Sequence, residues 1–177
     1  YVEVDIIDAW VLERPELSPW SKNNNIQGFD VANCDILSKV PGSVHEAWVR
    51  KLAIETGEFD NVIYQVGNET FDCNSKVKDL WEHGVAVIMR DELTKHGFAI
   101  KPIGTNSHRG GIEDAEWIDY INKHSKEIPN VRSKPVMVNE YDSAYITSIG
   151  ANGFDKIMRE AAAKGISYHL WKGDTSN

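Results

Sequence analysis

Short apolar runs alternate with amphipathic stretches along the chain of 177 residues. The runs are apolar nearly throughout, which is typical of parallel strands that are covered on both faces. The amphipathic stretches space their apolar residues as helices with one buried face do. The pattern predicts strands at residues 2–10, 61–67, 98–104, 117–121, 134–139 and 166–171. It predicts helices at residues 43–57, 75–96 and 153–164.

Signals at the ends of the helices support these boundaries. Ser43 and Glu46 form an S-x-x-E capping box, which is typical of a helix start. Gly57, Gly97 and Gly165 stand at the predicted helix ends, where glycine is favoured. The predicted inward face of the first helix consists of Val44, Ala47, Trp48 and Leu52. On the second helix the predicted inward residues are Val77, Leu80, Trp81, Val85, Ile88 and Met89.

Strands that alternate with helices predict an α/β fold with a parallel sheet. The strand count fits two architectures, an open doubly wound sheet and an eight-stranded barrel that lacks its first two βα units. A complete (β/α)8 barrel needs about 250 residues, so the chain is shorter than a barrel by roughly those two units. It starts at Tyr1, without Met and inside a predicted strand. We therefore expect it to be a piece of a longer protein.

Composition narrows the class of partner and of chemistry. Apolar residues make up 41% of the chain and charged residues 26%, which is ordinary for a globular protein. The formal net charge of −8 argues against nucleic acid, which is bound by basic faces. No apolar run is long enough to span a membrane. The histidines show no metal-ligand spacing, so no metal or other cofactor is predicted. Cys34 and Cys73 could form a single bridge, but we expect them to be buried free thiols.

Two predicted strands end in the same dipeptide. The run NVIYQVGNE places Asn68 and Glu69 where one strand meets its loop, and KPVMVNE places Asn139 and Glu140 at the same point of another. In a parallel barrel all strands point one way, so both carboxylates would face one pocket at the carboxyl rim. Glycoside hydrolysis uses such a pair, one acid to protonate the leaving oxygen and one carboxylate to attack the sugar. Either glutamate alone could equally be a surface residue, but the pair indicates a glycosidase.

The same runs resemble a known family. NVIYQVGNE followed by KPVMVNE is similar to the retaining (β/α)8-barrel glycoside hydrolases of clan A. SPWSKNNNIQG followed by HEAWVRKLAIETGEFDNVIYQVGNE resembles the cellulase-like glycosidases of that clan. The resemblance covers nearly the whole chain and implies a partial (β/α)8 TIM barrel, strands three to eight, lacking the first two βα units. Residues 1–177 would be the C-terminal three-quarters of one barrel domain, completed by a missing N-terminal barrel segment of the same protein.

The resemblance also implies roles for individual residues. Glu69, at the end of strand four, would be the general acid/base. Glu140, at the end of strand seven, would be the nucleophile of a double displacement. Asn68 would hydrogen-bond the 2-hydroxyl group of the sugar, and Trp171, at the end of strand eight, would form an aromatic floor beneath it.

Further side chains on the predicted rim and loops could bind an oligo- or polysaccharide substrate, because aromatic faces stack on sugar rings and polar groups bond to hydroxyls. Two positions depart from the family pattern. Strand three ends in Trp10, where many members have histidine, and strand six offers Tyr120 or His124 in place of a rim tyrosine. The predicted substrate-binding residues are Asn68, Trp10, Trp20, Asn106, His108, Tyr141 and Trp171.

Two other functional interpretations are open at the level of sequence. A glycan-binding or structural barrel without catalysis is one, although the presence of both carboxylates favours an enzyme. A metal-dependent hydrolase would use His108, His124 and His169, whose spacing matches no metal motif. A glycan-degrading domain is compatible with secretion from a bacterium into the extracellular space or with attachment to a phage particle, and the chain does not choose between them.

Overall fold

A computed structural model of the protein describes residues 1–8, 16–28, 42–69, 75–106, 114–124, 129, 133–140 and 143–168, with the backbone alone at 75–78, 140, 143–147 and 168. The chain forms two compact units, Tyr1–Ile118 and Asp119–Asn177. The strand pairs described within each unit are parallel, and helices separate strands along the chain. The predicted α/β class with parallel strands is therefore confirmed. None of the described helices is long and apolar enough to cross a membrane.

The first unit is a β–α–β–α–β segment. Its strands are β1 (Val2–Asp5), β2 (Val62–Gln65) and β3 (Ile103–Thr105), and its helices are α1 (Gly42–Thr56) and α2 (Ser75–Lys95). Strand β2 pairs with both β1 and β3. Because each helix returns the chain from the carboxyl end of one strand to the amino end of the next, it runs antiparallel to the strands. The first turns of both helices therefore lie toward the carboxyl ends of the strands.

The core of the first unit lies between the strands and the two helices. Tyr64 on β2, Ile103 on β3, and Met89 and Leu93 on α2 are fully buried. The hydroxyl group of Tyr64 lies 2.7 Å from the hydroxyl group of Thr56. Burial raises the pKa of Tyr64, so the phenol is neutral and its polar atom is paired inside the core. This bond fastens the end of α1 to the strand that follows it.

The buried face of α1 differs from the predicted face. His45, Val49 and Ala53 point into the core, whereas Ala47 is exposed and Trp48 is 37% exposed. Successive residues of a helix are about 100° apart, so the predicted face is rotated by one residue position. The expectation that Trp48 is a core residue is therefore wrong. A pattern that scores histidine as polar does not find this face, because His45 is one of its buried members.

His45 is accommodated by contacts with two tryptophans. Trp81 Nε1 donates a hydrogen bond to His45 Nδ1 over 3.3 Å, and the rings of Trp20 and His45 meet edge to face with centroids 4.9 Å apart. Burial lowers the pKa of His45, so the ring is neutral and can accept the indole hydrogen. Trp81 packs against the core as predicted, whereas Leu80 beside it is 68% exposed, contrary to the predicted inward face.

An ion-pair cluster joins α1 to α2. Arg50 on α1 lies 2.8 Å from Asp91 and 2.5 Å from Glu92 on α2, and 2.9 Å from Glu46 on its own helix. The hydrogen bond from Arg50 holds the pKa of Glu92 below its usual range, so Glu92 is an anion in this buried position. Glu46 thus contributes to helix packing. Helix α1 begins one residue before Ser43, so Ser43 lies within the first turn and not at the N-cap.

The described residues of the second unit form three parallel strands and one interrupted helix. Strand β5 (Val136–Glu140) pairs with β4 (Tyr120–His124) on one side and with β6 (Ser167–Tyr168) on the other. The helix is broken at Gly150, where φ is 64° and ψ is −178°. The predicted helix at 153–164 is the segment after this break, and the segment before it is not predicted by the sequence pattern. This interrupted helix is α3 (Ser143–Ala163).

Two helices end at the glycines that the sequence indicates. Gly97 after α2 has φ of 72°, in the left-handed region that glycine adopts without a steric penalty. The N–H of Phe98 donates to the carbonyl oxygen of Leu93 over 2.9 Å, which makes a Schellman motif. Gly165, with φ of 67°, ends α3 in the same way. Phe98 therefore packs back against the core, and the predicted strand at 98–104 is observed only near its end.

Paired glycine substitutions test the packing at the end of α1. A Cβ on Gly57 would lie 2.6 Å from the carbonyl oxygen of Ala53 and 2.9 Å from Leu93 Cδ2. We expect Gly57→Ala to lower the free energy of unfolding by about 1–3 kcal/mol. Gly84 is the matched control, because it is exposed inside α2 and a Cβ there meets nothing within 4 Å. Gly84→Ala should raise the free energy of unfolding by about 0.5–1 kcal/mol.

Urea denaturation followed by circular dichroism measures both changes. A Gly57→Ala variant as stable as the wild-type protein would contradict the close packing of α1 against α2.

Candidate active site

Three neighbouring strands of the first unit end around Asn68. The line of β1 is continued by an isolated bridge in which Asp8 pairs with Asn68, and the N–H of Asn68 donates to the carbonyl oxygen of Ile7 over 2.8 Å. On the other side, the N–H of Asn106 donates to the carbonyl oxygen of Gly67 over 3.2 Å. Asp8, Asn68 and Asn106 therefore follow three adjacent parallel strands at their carboxyl ends. In (β/α)8 enzymes this end of the sheet carries the active site.

The side-chain amide of Asn68 is held by hydrogen bonds from both sides. Its Oδ1 accepts from Gln65 Nε2 over 3.1 Å and from Asn106 Nδ2 over 3.2 Å, and its Nδ2 donates to Asp8 Oδ2 over 3.2 Å. Gln65 Nε2 also donates to Asp5 Oδ1 over 2.8 Å. If the amide were flipped, its nitrogen would face the donor nitrogens of Gln65 and Asn106, and its oxygen would face the carboxylate of Asp8. The network therefore fixes the orientation of the amide. With Asn68 only 7% exposed, the side chain is rigidly placed.

Glu69 follows directly and has an unusual backbone conformation. Its φ is 51°, and no other non-glycine residue in the described part of the chain has a positive φ. A residue with a Cβ is uncommon in this region, and the conformation costs on the order of 1–3 kcal/mol. Such strain is found where the surrounding structure enforces it, often at functional sites. Here the backbone and side-chain bonds of Asn68 fix the preceding peptide, and Glu69 is half-buried beyond it.

A buried acid that the sequence pattern does not single out lies behind these residues. Glu82 on α2 is fully buried, and its Oε2 accepts a hydrogen bond from Thr105 Oγ1 over 2.9 Å. Thr105 immediately precedes Asn106, so this bond holds the carboxyl end of β3 against α2. The signal that could have revealed Glu82 is its spacing, because Val85, Ala86 and Met89 follow it on the same helix face and are buried.

In the second unit, β4 and β5 bring two candidate residues side by side. His124 is the register partner of Glu140, and both stand at the carboxyl ends of their strands. The register shifts between Lys123 and His124, so that Asn139 is an extra residue on β5. Such a bulge turns the following residue relative to the ladder, and bulges are common beside active sites. Tyr120, the other candidate, begins β4 and lies at its opposite end.

The predicted site residues are described by the structure to different extents. Glu140 is described by its backbone, as the last residue of β5. Trp20 is half-buried and packs beside α1, where it contacts His45 and Trp48. The predicted substrate-binding residues that lie outside the described residues are Trp10, His108, Tyr141 and Trp171. Cys34, Cys73 and His169 also lie outside them. Among the described residues, no group of three or more His, Cys, Asp or Glu side chains is arranged to hold a metal ion.

Comparison by sequence finds no relative. No family model matches the chain, and no curated protein does.

Comparison by structure finds similar folds. The catalytic domain of Thermobifida fusca endoglucanase Cel5A (E5) matches in two structures, one of them in complex with cellotetraose. Each match has a TM-score of 0.50 and 16% identity over 72% of this chain and 50% of that one. XacCel5A in complex with cellopentaose matches with a TM-score of 0.53 and 13% identity over 98% of this chain and 66% of that one. This chain thus spans about half to two-thirds of the chains it matches. A likeness at this identity shows the fold, which is an α/β fold consistent with part of a (β/α)8 barrel.

Proposed function

We propose that this chain carries both catalytic carboxylates of a retaining glycoside hydrolase, with Glu69 as general acid/base and Glu140 as nucleophile. The observation that carries the proposal is the repetition of one arrangement in the two units. In each unit an Asn–Glu pair stands at the carboxyl end of a parallel strand, Asn68–Glu69 beyond β2 and Asn139–Glu140 at the end of β5. The carboxyl ends of different strands are where (β/α)8 enzymes hold their catalytic residues.

The proposed reaction is a double displacement. Glu69 protonates the glycosidic oxygen while the carboxylate of Glu140 attacks the anomeric carbon, which gives a glycosyl-enzyme ester and releases the first sugar product. Glu69, now a carboxylate, takes a proton from water, and the water oxygen attacks the same carbon and frees Glu140. This geometry requires carboxyl groups about 5–5.5 Å apart, whereas a separation of about 6.5–9.5 Å would indicate inversion.

Asn68 is proposed to bind the 2-hydroxyl group of the sugar. Its oxygen already accepts two hydrogen bonds, from Gln65 and Asn106. Its nitrogen carries two hydrogens, and one of them is donated to Asp8. The second hydrogen is therefore the group that Asn68 can offer to a hydroxyl oxygen. Hydrogen bonds to this hydroxyl strengthen in the transition state of glycoside hydrolysis, so Asn68 would assist catalysis as well as binding.

His124 is proposed to position the nucleophile. His124 is the register partner of Glu140, whereas Tyr120 stands at the other end of the same strand. We therefore favour His124 over Tyr120 for this role. Five residues of strand span about 13 Å between the first and last Cα atoms, so the two candidates cannot serve the same group at one rim. An imidazole can donate a hydrogen bond to a carboxylate, and such a bond would orient the attacking oxygen.

The proposed substrate is a neutral oligo- or polysaccharide. Two of the structures with a similar fold hold cellotetraose and cellopentaose, and both ligands are neutral chains. The net charge of −8 on this chain disfavours a strongly anionic polymer by repulsion. The site described around Asn68 consists of amide and carboxylate groups, which suit the hydroxyl groups of a sugar.

The two catalytic roles can be told apart by rescue with azide in the complete gene product. Glu140→Gly removes the attacking carboxylate, so azide should displace an activated aryl leaving group and give a glycosyl azide of inverted configuration. Glu69→Ala retains the nucleophile, and the glycosyl-enzyme it forms should be intercepted by azide to give a retained product. Nuclear magnetic resonance of the products reads the configuration. Retained product from Glu140→Gly and inverted product from Glu69→Ala would reverse the assignment.

The role of Asn68 can be tested with a substrate that lacks the 2-hydroxyl group. The wild-type enzyme should favour an aryl glycoside over its 2-deoxy analogue more strongly than Asn68→Ala does, by at least about tenfold in the ratio of kcat/KM values. Each variant is assayed with both substrates, so a general loss of folded enzyme cancels in the ratio. An unchanged ratio in Asn68→Ala would show that Asn68 does not bind this hydroxyl.

A further inference from the structure

The segment before α1 forms a groove against the first turns of that helix. This groove, here called the Trp20–Trp48 groove, has a volume of about 570 Å³ and is lined by Trp20, Asn24, Ile26 and Gln27 from the segment and by Val44 and Trp48 from α1. The first turns of α1 lie toward the carboxyl ends of β1 and β2. The groove is therefore built on the end of α1 that lies toward the carboxyl ends of these strands.

The segment that forms one wall is held by its own hydrogen bonds. Asn24 Nδ2 donates to the carbonyl oxygens of Glu16 and Ser18 over 2.8 and 2.9 Å. The N–H of Trp20 donates to Ser18 Oγ over 3.2 Å, and Ser18 is fully buried. These bonds join groups within the segment itself, and a wall fixed by its own hydrogen bonds lowers the entropy cost of binding. Both hydrogens of Asn24 Nδ2 are engaged, so what this amide offers a hydroxyl is its Oδ1 acceptor.

Two indole rings at right angles shape the groove. The centroids of Trp20 and Trp48 are 6.3 Å apart and their planes are perpendicular. Trp20 is braced from behind by the buried ring of His45. Trp48 is 37% exposed and Ile26 is 99% exposed, so a solvent-facing apolar surface borders the groove. Apolar surface of this kind, rimmed by polar side chains, is typical of a binding site.

The chemistry of the lining indicates the ligand. None of the described residues that line the groove is charged, although charged residues make up 26% of the chain. A pyranose ring has apolar C–H faces, which stack on indole, and a rim of hydroxyl groups, which bond to carboxamides. We infer that the Trp20–Trp48 groove binds a sugar unit of a neutral polysaccharide, as a second site separate from the strand ends. The proposed function adds that the polymer bound in this groove is also the polymer that is cleaved, and this addition rests on that proposal.

Binding can be measured without turnover in the Glu69→Gln background of the complete gene product. Affinity electrophoresis uses gels that contain hydroxyethyl cellulose, arabinoxylan or galactomannan, with polygalacturonate as the charged polymer. We expect retardation by at least one of the neutral polymers, and a dissociation constant about tenfold higher in Trp48→Ala than in the parent protein. Trp48→Phe, which retains an aromatic face, should restore most of the affinity. Phe59→Ala is the matched control, because Phe59 is 49% exposed and lies outside the groove.

The outcomes separate this inference from the proposed function. Neutral polymers that bind equally to Trp48→Ala and to the Phe59→Ala control, or retardation by polygalacturonate alone, would overturn the groove as a sugar site. If the wild-type protein hydrolyses a glycan although the groove fails this test, the proposed function is still supported. Retardation that depends on Trp48, in a protein that hydrolyses no glycan, would instead support the groove and contradict the enzyme. Near-ultraviolet circular dichroism of each variant establishes that it is folded.

Discussion

The candidate site depends on the hydrogen bonds of one buried amide. Asn68 joins the ends of three parallel strands, because its side chain bonds to Asp8 on one side and to Asn106 on the other. An unpaired amide in this position would cost about 1–3 kcal/mol for each polar group left without a partner. The bonds therefore select a single arrangement of the strand ends, and that arrangement carries Glu69 in a left-handed backbone conformation.

The helices support this arrangement from behind. The buried carboxyl group of Glu82 anchors Thr105 beside Asn106, while His45 and Trp81 connect α1 with α2. Polar groups inside the first unit thus fix positions that apolar packing alone would leave less specific. His45 also contacts Trp20, so the buried residues that connect the two helices also position one wall of the groove beside α1.

The sequence predicts the α/β class, the order of the elements and the positions of both Asn–Glu pairs, because apolar periodicity and strand ends are local features. It does not predict the inward face of α1, because His45 becomes a core residue only through its bond to Trp81. Nor does it predict that Trp48 is exposed on a groove wall. The partnership of His124 with Glu140 depends on a bulge, and a bulge is a property of two paired strands and not of one.

As the proposed nucleophile, Glu140 would form a covalent bond to the sugar, and this intermediate can be trapped. A 2-fluoro aryl glycoside with a good leaving group forms the glycosyl-enzyme faster than water releases it, because the fluorine destabilises both transition states and the leaving group compensates only the first. Proteolysis and mass spectrometry of the trapped complete gene product should locate one fluoroglycosyl group on Glu140. A label on Glu69 would contradict the assignment, and a folded protein that is labelled by no glycoside and cleaves none would contradict the retaining mechanism itself.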